Sequence, residues 1–261
     1  RRVRARPPRA PGAPPLLFVP RATSPTRHAL SERYGIFDRF FVNAEVSTQG
    51  HPWSPAAYVT DVLEKTTPDD YRGRRPEHDD AAIDASDPAV GYLWDAAIRK
   101  GVTLRVYGEY AERVPRAANE SGPQRVRSLI PSLAPYMNPT YPPFDMTISD
   151  QVRADAWLAE FARYERSGQM PALEILHLPR DHTSDARAGP PTPKAYMSDN
   201  DFALDRLMEA LPSSQFLKNT VVLAVEHYSR TGPDHVDSHT PLRPPYFSRD
   251  HCALIPTHLT T

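Results

Sequence analysis

The stretch VGYLWDAAIRKGVTLRVY, residues 90–107, decides the fold class of this chain. Residues 90–99 predict a helix, which Gly101 ends because glycine readily adopts the left-handed conformation found after many helices. Residues 102–107 (VTLRVY) predict a strand, since β-branched and aromatic residues favour an extended backbone. A helix that leads directly into a strand is typical of chains in which helices cover a parallel sheet.

The second half of the chain repeats this alternation. It predicts a helix over 151–166, a strand at 172–178 (ALEILHL), a helix over 198–211 and a buried parallel strand at 220–225 (TVVLAV). Strand, helix and strand at this spacing require right-handed crossover connections within one sheet. We therefore predict an α/β fold with a mixed, mostly parallel sheet flanked by helices.

The first half predicts shorter elements joined by long loops. Ser24 and Pro25 suit the N-cap and the first position of a helix over 25–34. The remaining elements of this half are a strand at 36–42, a helix at 54–65 and loops at 66–88 and 111–149. The chain has 30 Pro and 11 Gly, and proline is disfavoured inside helices and central strands, so long Pro-rich loops are expected.

The charged residues beside the helix over 151–166 predict structural roles. Asp150 can cap this helix because an aspartate side chain accepts hydrogen bonds from the first N–H groups. We assign Arg153, with the nearby Asp145 and Asp155, to capping and surface pairing.

Three polar loops that contain histidine, at 43–54, 179–190 and 226–240, each follow a predicted strand. In parallel sheets the chemistry lies just beyond the carboxyl ends of the strands. We therefore expect these loops to share one site.

Composition excludes several classes of protein. The chain of 261 residues carries 31 Lys+Arg against 32 Asp+Glu, and a net charge of −1 offers no general attraction to nucleic acid. No apolar run approaches the roughly 20 residues that a transmembrane helix needs, and no signal-peptide core is visible. Cys252 is the single cysteine, so no intrachain disulfide forms, and it has no evident catalytic setting.

Residues 1–22 differ from the rest of the chain in composition. Arginine and proline dominate there, and no acidic residue precedes Glu32. This composition predicts a disordered segment, with a short basic stretch that binds nucleic acid or an anionic surface as the alternative. The folded domain is predicted at 23–261. The start of the sequence, which lacks Met, indicates a fragment or a gene product whose true start is missing.

Four stretches resemble the phosphoesterase family of the alkaline phosphatase superfamily. They are 23–65 (with HALSERYGIFDRFFVNAEVSTQGHPW), 91–110 (with GYLWDAAIRKGVTLRVYGEY), 142–204 (with PPFDMTISD and HLPRDHT) and 232–239 (GPDHVDSH). The resemblance covers roughly residues 23–240. It implies an alkaline-phosphatase-like α/β fold and cleavage of phosphate esters by a metal-assisted hydroxyl nucleophile, as in phospholipases C and acid phosphatases of this family.

The resemblance also implies a nucleophile. Ser47 follows the first predicted strand, where related phosphatases and sulfatases carry theirs, and Thr48 is the adjacent alternative. A serine hydroxyl needs a metal ion or a base to become a nucleophile at neutral pH. His51, in the Gly-His-Pro-Trp loop, is the expected contact to the phosphate or leaving group, with packing beside Trp53 as the alternative.

A divalent metal ion (zinc, calcium or manganese) is the cofactor that the resemblance implies. Its expected ligands are Ser47, Asp181, His182, Glu226, His227, His235 and His239. Surface turn positions are the alternative for His235 and His239. The family has two adjacent Asp ligands where this chain has His227 and Tyr228, and its N-terminal acidic and amide ligands have no counterpart in this sequence. The imidazole-rich set that remains favours zinc.

We expect metal-dependent hydrolysis of a phosphate-ester small molecule or a phospholipid head group, through a phosphoserine intermediate. Two alternatives are a catalytically impaired homologue that binds phosphorylated ligands without turnover and a truncated gene product. The family is often exported from bacterial cells, so the resemblance implies an extracytoplasmic protein. No nucleic-acid partner is expected, and the oligomeric state is not indicated.

Overall fold

The computed structural model describes residues 21–34, 44, 46–70, 88–115, 121, 125–184 and 188–225. The helices before the first strand are α1 (Pro25–Tyr34), α2 (Ser47–Ala56), α3 (Asp61–Asp70) and α4 (Leu93–Arg99). The strands are β1 (Leu104–Tyr107), β2 (Ala111–Arg113), β3 (Val126–Ser128) and β4 (Leu173–Leu176). The later helices are α5 (Asp150–Ser167) and α6 (Pro193–Ala210), with 3-10 turns at Pro131–Tyr136, Pro179–His182 and Leu217–Asn219. Among these helices, none is both long enough and apolar enough to cross a membrane.

The sheet centres on a parallel pair of strands. Strand β1 pairs with β4 in a register that runs from Leu104 opposite Leu173 to Tyr107 opposite Leu176. Strands β2 and β3 form a separate antiparallel pair. The fold is therefore a mixed α/β arrangement with a small parallel sheet, and the strands predicted at 102–107 and 172–178 are confirmed in shortened form.

The side chains of β1 point alternately to the two faces of the sheet, and this divides the core into two clusters. Leu104 and Val106 pack with Trp94 of α4 and with Leu133. Tyr107 instead joins the cluster that contains Trp157 and Phe161 of α5 and Leu207 of α6. Successive strand residues point to opposite faces of a sheet, so these two strands collect apolar side chains on both sides. The strands are short, and the helices supply much of the apolar surface.

A fully buried ion pair lies at the start of α5. The Arg153 side chain donates from Nη1 to Asp150 Oδ1 over 3.0 Å, and neither side chain is exposed. The guanidinium also donates to backbone carbonyls of the preceding loop, at Pro142, Pro143, Asp145 and Ile148. The roles predicted for this pair are wrong, because both residues lie in the core rather than on the surface.

The second oxygen of Asp150 connects α5 to the rest of the domain. It accepts hydrogen bonds from the backbone N–H of Arg180 over 3.1 Å and from Asn200 of α6 over 2.8 Å. Burial raises the pKa of Asp150 to about 6, against the lowering effects of Arg153 and of these hydrogen bonds. The helix cap is instead Ser149, whose hydroxyl accepts from the N–H of Gln151.

Several other predicted elements differ in the structure. The helix predicted at 54–65 is replaced by α2 and α3, because Ala57 ends α2 in a left-handed conformation (φ 62°) and the hydroxyl of Thr60 accepts a hydrogen bond at the start of α3. Residues 66–70 of the loop predicted at 66–88 belong to α3, which runs to Asp70, and residues 71–87 lie outside the described residues. The strand predicted at 36–42 lies outside the described residues.

The strand predicted at 220–225 is wrong. These residues pair with no strand in the described part of the chain, and an extended segment becomes a strand only through such pairing. Val222 packs against the core, but Val221, Leu223 and Val225 remain 42%, 54% and 47% exposed. The apolar composition predicts burial on both faces, whereas only one face of the segment packs.

The first prediction concerns the buried ion pair. Arg153→Met leaves Asp150 as an uncompensated buried charge, so we expect the free energy of unfolding to fall by about 3–5 kcal/mol. Arg163→Met is the matched control, because Arg163 lies on the same helix and pairs with Glu160 at the same spacing, but its side chain is 58% exposed. The control should lose less than about 1 kcal/mol. Urea unfolding of both variants measures the difference, and equal losses would contradict the role given to Arg153.

Candidate active site

The polar residues of the site lie at the carboxyl ends of β1 and β4. Glu109 follows Tyr107 after a single glycine, and His177 is the first residue after β4. Parallel pairing brings these ends to one edge, where His177 Nδ1 lies 3.9 Å from Glu109 Oε2. Gly108 is required between them, since its φ is +85° and a Cβ there would lie 2.9 Å from the Tyr141 ring.

His51 reaches the same edge from α2. Its Nδ1 lies 2.8 Å from Glu109 Oε1, and its ring contacts the His177 ring edge-on, with centroids 5.4 Å apart. A carboxylate only accepts hydrogen bonds, so Nδ1 donates, and a neutral His51 ring then carries its lone pair on Nε2. This fixed tautomer and orientation are what a general base requires.

The three groups perturb one another's proton affinities. Burial alone would raise the pKa of Glu109, but the charge and hydrogen bond of His51, with the charge of His177, lower it to about 2. Burial lowers the pKa of His177, and the negative charge of Glu109 opposes this shift only in part, so the pKa is about 4. At neutral pH the edge therefore holds an ionised carboxylate beside a neutral His177. Strongly shifted pKa values of this kind are common at functional sites.

Asp181 and His182 lie in the 3-10 turn Pro179–His182, directly after β4. Phe144 bridges this turn to the rest of the site, because its ring lies against His182 (5.3 Å, edge-on) and against His177 (6.4 Å, stacked). The Nδ1 of His182 lies 3.1 Å from the carbonyl of Thr183. A chain of ring contacts thus runs from His51 through His177 and Phe144 to His182.

Ser47 is the first residue of α2, and not part of a loop as predicted for residues 43–54. It precedes His51 by four residues, so the two side chains lie on the same side of the helix. The proline residues within 47–56 made a loop the simpler prediction, since proline is uncommon inside helices. At the N-terminus of a helix the dipole is positive, which favours a bound anion such as a phosphate oxygen.

Four of the expected metal ligands, Glu226, His227, His235 and His239, lie outside the described residues. Within the described residues, no group of three or more His, Cys, Asp or Glu side chains is arranged to hold a metal ion.

Three residues of the site are not among those predicted from the sequence: Glu109, Phe144 and His177. Glu109 follows a correctly predicted strand, so the carboxyl-end rule could have found it, but only loops with histidine were selected. His177 was counted inside the strand predicted at 172–178, whereas β4 ends at Leu176. Phe144 lies in the stretch PPFDMTISD, which carries part of the resemblance, but the segment is predicted as a loop and no role is predicted for Phe144.

Comparison of the chain with protein-family models, with curated proteins and with solved structures finds no match.

The second prediction concerns His177 and pH. The unfolded chain binds a proton at His177 with an ordinary pKa of 6.5, whereas the folded chain does so at about 4. The unfolded state therefore binds more protons between these values, and stability is lost as the pH falls through this window. As the pH falls through this window, His177 should lower the free energy of unfolding of the wild type by up to about 3 kcal/mol. The variant His177→Gln lacks this contribution, so its free energy of unfolding should fall by up to about 3 kcal/mol less than that of the wild type. Urea unfolding from about pH 7 to about pH 4 measures both slopes, and identical slopes would contradict a buried neutral His177.

Proposed function

We propose that this chain hydrolyses phosphate esters with Ser47 as the nucleophile. The observation that carries the proposal is the hydrogen bond between His51 and Glu109, one helical turn after Ser47 at the N-terminus of α2. The likeness of residues 23–240 to the phosphoesterase family supports the same chemistry. The group set consists of a hydroxyl, an imidazole and an orienting carboxylate, which is the arrangement that activates a serine.

In the proposed reaction, the Ser47 oxygen attacks phosphorus while the bond from phosphorus to the leaving-group oxygen breaks. The hydroxyl proton passes to Nε2 of His51, which then donates it to the leaving-group oxygen as that group departs. Water then attacks the phosphoserine and gives a proton to His51 while the bond from phosphorus to the Ser47 oxygen breaks. His51 returns this proton to the serine oxygen, and inorganic phosphate is released. The positive end of α2 stabilises the charge on the phosphoryl oxygens.

Glu109 is a positioning residue in this scheme. Its carboxylate stays ionised at neutral pH and accepts the Nδ1 hydrogen of His51, so it holds the ring orientation and stabilises the imidazolium that forms. The neutral His177 ring lies beside the other oxygen of this carboxylate, with Nδ1 3.9 Å from Oε2. The base therefore works beside a fixed negative charge.

A divalent cation, either zinc, calcium or manganese, belongs to the proposal as the cofactor. Asp181 and His182 would hold it, together with Glu226, His227, His235 and His239. The donor chemistry of the described pair fits, because the Nδ1 of His182 is directed at the Thr183 carbonyl and the lone pair is then on Nε2. When bound, the ion supplies Lewis-acid stabilisation of the phosphoryl oxygens.

A second candidate function is binding of phosphorylated ligands without turnover. The observation that favours it is the presence of His227 and Tyr228 where the family has two aspartates. Fewer carboxylates hold a divalent ion less tightly, which would reduce catalysis more than binding.

The third prediction concerns the nucleophile. Ser47→Ala should lower the turnover of an aryl phosphate by at least about a thousandfold, because nucleophile and base act as a unit. Thr48→Ala is the matched control, since Thr48 is the neighbouring hydroxyl on the same turn, and its turnover should stay within about threefold of wild type. The reverse result would transfer the role to Thr48. Wild-type activity in both variants would exclude a covalent mechanism at this turn.

The fourth prediction concerns the metal. Imidazole-rich ligand sets prefer zinc to calcium or magnesium, so we expect the purified chain to be weakly active and to gain activity on zinc addition. The double variant His227→Asp, Tyr228→Asp should bind metal more tightly, by at least about tenfold. Metal analysis followed by titration tests this, and full activity with tightly bound calcium in the unmodified chain would contradict it. Phosphate binding without any turnover would support the second candidate function.

A further inference from the structure

Phe144 combines solvent exposure with a central position in the candidate site. Its residue surface is 45% exposed, although its ring stacks on His177 and meets His182 edge-on. A single exposed phenylalanine is ordinary on a protein surface. Phe144, however, lies between His177, which directly follows β4, and His182, which is one of the proposed metal ligands.

The backbone that carries Phe144 is held from beneath. The fully buried Arg153 donates to the carbonyls on both sides of it, at Pro143 and Asp145. The Asp145 side chain accepts from the backbone N–H of Thr147 over 2.8 Å. Loops are usually the mobile parts of a domain. The loop that carries Phe144 is instead held by Arg153, which belongs to the buried ion pair with Asp150.

A rigid aromatic side chain at the mouth of a site is suited to binding a flat ligand. A ring that is already fixed loses little conformational entropy when a second ring stacks on it, so the contact contributes more to affinity. Aromatic pairs stack in offset geometry and contribute beyond their buried area. An aliphatic group of the same size would bury a similar apolar area against Phe144 but would not gain the additional free energy of ring stacking.

We propose that Phe144 is a stacking platform for an aromatic leaving group, so that the substrates are aryl phosphate esters. The inference rests on the proposed function and adds the identity of the group that leaves. The phosphoryl group would lie towards Ser47 and His51, and the aromatic ring would lie against the exposed face of Phe144. A phospholipid head group with aliphatic chains is the competing source of a phosphate ester, and the test below separates the two.

The test is calorimetric binding of non-hydrolysable phosphonates to the full chain, with and without added zinc. Phenylphosphonate, cyclohexylphosphonate and methylphosphonate share the anion and differ in the attached group. The variants are Phe144→Ala and Phe144→Trp. Phe202→Ala is the matched control, because Phe202 is a similarly exposed phenylalanine (56%) on α6.

We expect phenylphosphonate to bind about three- to tenfold more tightly than cyclohexylphosphonate, which is the size of an aromatic pair term. Phe144→Ala should abolish this preference while methylphosphonate affinity is unchanged, Phe144→Trp should retain it, and Phe202→Ala should leave it intact. A purely structural role for Phe144 would instead weaken all three ligands equally, which would overturn the inference.

Two further outcomes distinguish this inference from the proposed function. If methylphosphonate binds and phenylphosphonate binds no more tightly than cyclohexylphosphonate, the aromatic preference is wrong and phosphate-ester chemistry stands. If none of the phosphonates binds under either condition, both the proposed function and this inference are overturned.

Discussion

The buried pair of Asp150 and Arg153 is the interaction on which the described structure depends. Two charges without solvent are costly, and their mutual attraction offsets that cost only when further hydrogen bonds satisfy the remaining atoms. Here those partners are the carbonyls of the loop at 142–148, the backbone of Arg180 and the side chain of Asn200. The pair therefore joins the loop that precedes α5 to two segments far along the chain, at Arg180 and Asn200, and movement of any of them would leave a buried charge with fewer hydrogen bonds.

This constraint extends directly into the candidate site. The loop held by Arg153 presents Phe144, and the turn held by Asp150 presents Asp181 and His182. The parallel strands position Glu109 and His177 at the same edge. Short strands alone would not fix an edge of this kind, because the pairing spans four residues in each strand. The helix-loop framework around the ion pair completes the definition of the site.

Local sequence pattern predicted the elements that local energetics determine. The strands at β1 and β4 have bounded runs of apolar and β-branched residues, α5 and α6 have helical apolar patterns, and α1 has a serine and a proline at its start. The start of α6 is less well predicted, since the helix begins at Pro193 and not at residue 198. The roles of Asp150 and Arg153 could not be predicted in this way, because burial of a charge depends on partners such as Asn200, far along the chain. The strand prediction at 220–225 is wrong for the same reason, since an apolar run does not indicate whether a neighbouring strand is present to pair with it.

The site was predictable where it follows strand ends and not where it depends on contacts across the fold. The loop that contains Asp181 and His182 is predicted from its place after a strand, and their role as ligands is what the resemblance implies, but the contact of His51 with Glu109 joins residues 58 positions apart. That meeting also sets the electrostatics. With Glu109 ionised and with His177 and His51 both neutral, the described edge carries a negative charge, which repels an incoming phosphate. A phosphate ester can therefore bind productively only with added positive charge, from the N-terminus of α2, from protonated His51 or from a cation at Asp181 and His182. Because His51 must be neutral to accept the Ser47 proton, the helix terminus and the cation are the two sources of charge that the proposed reaction can use throughout.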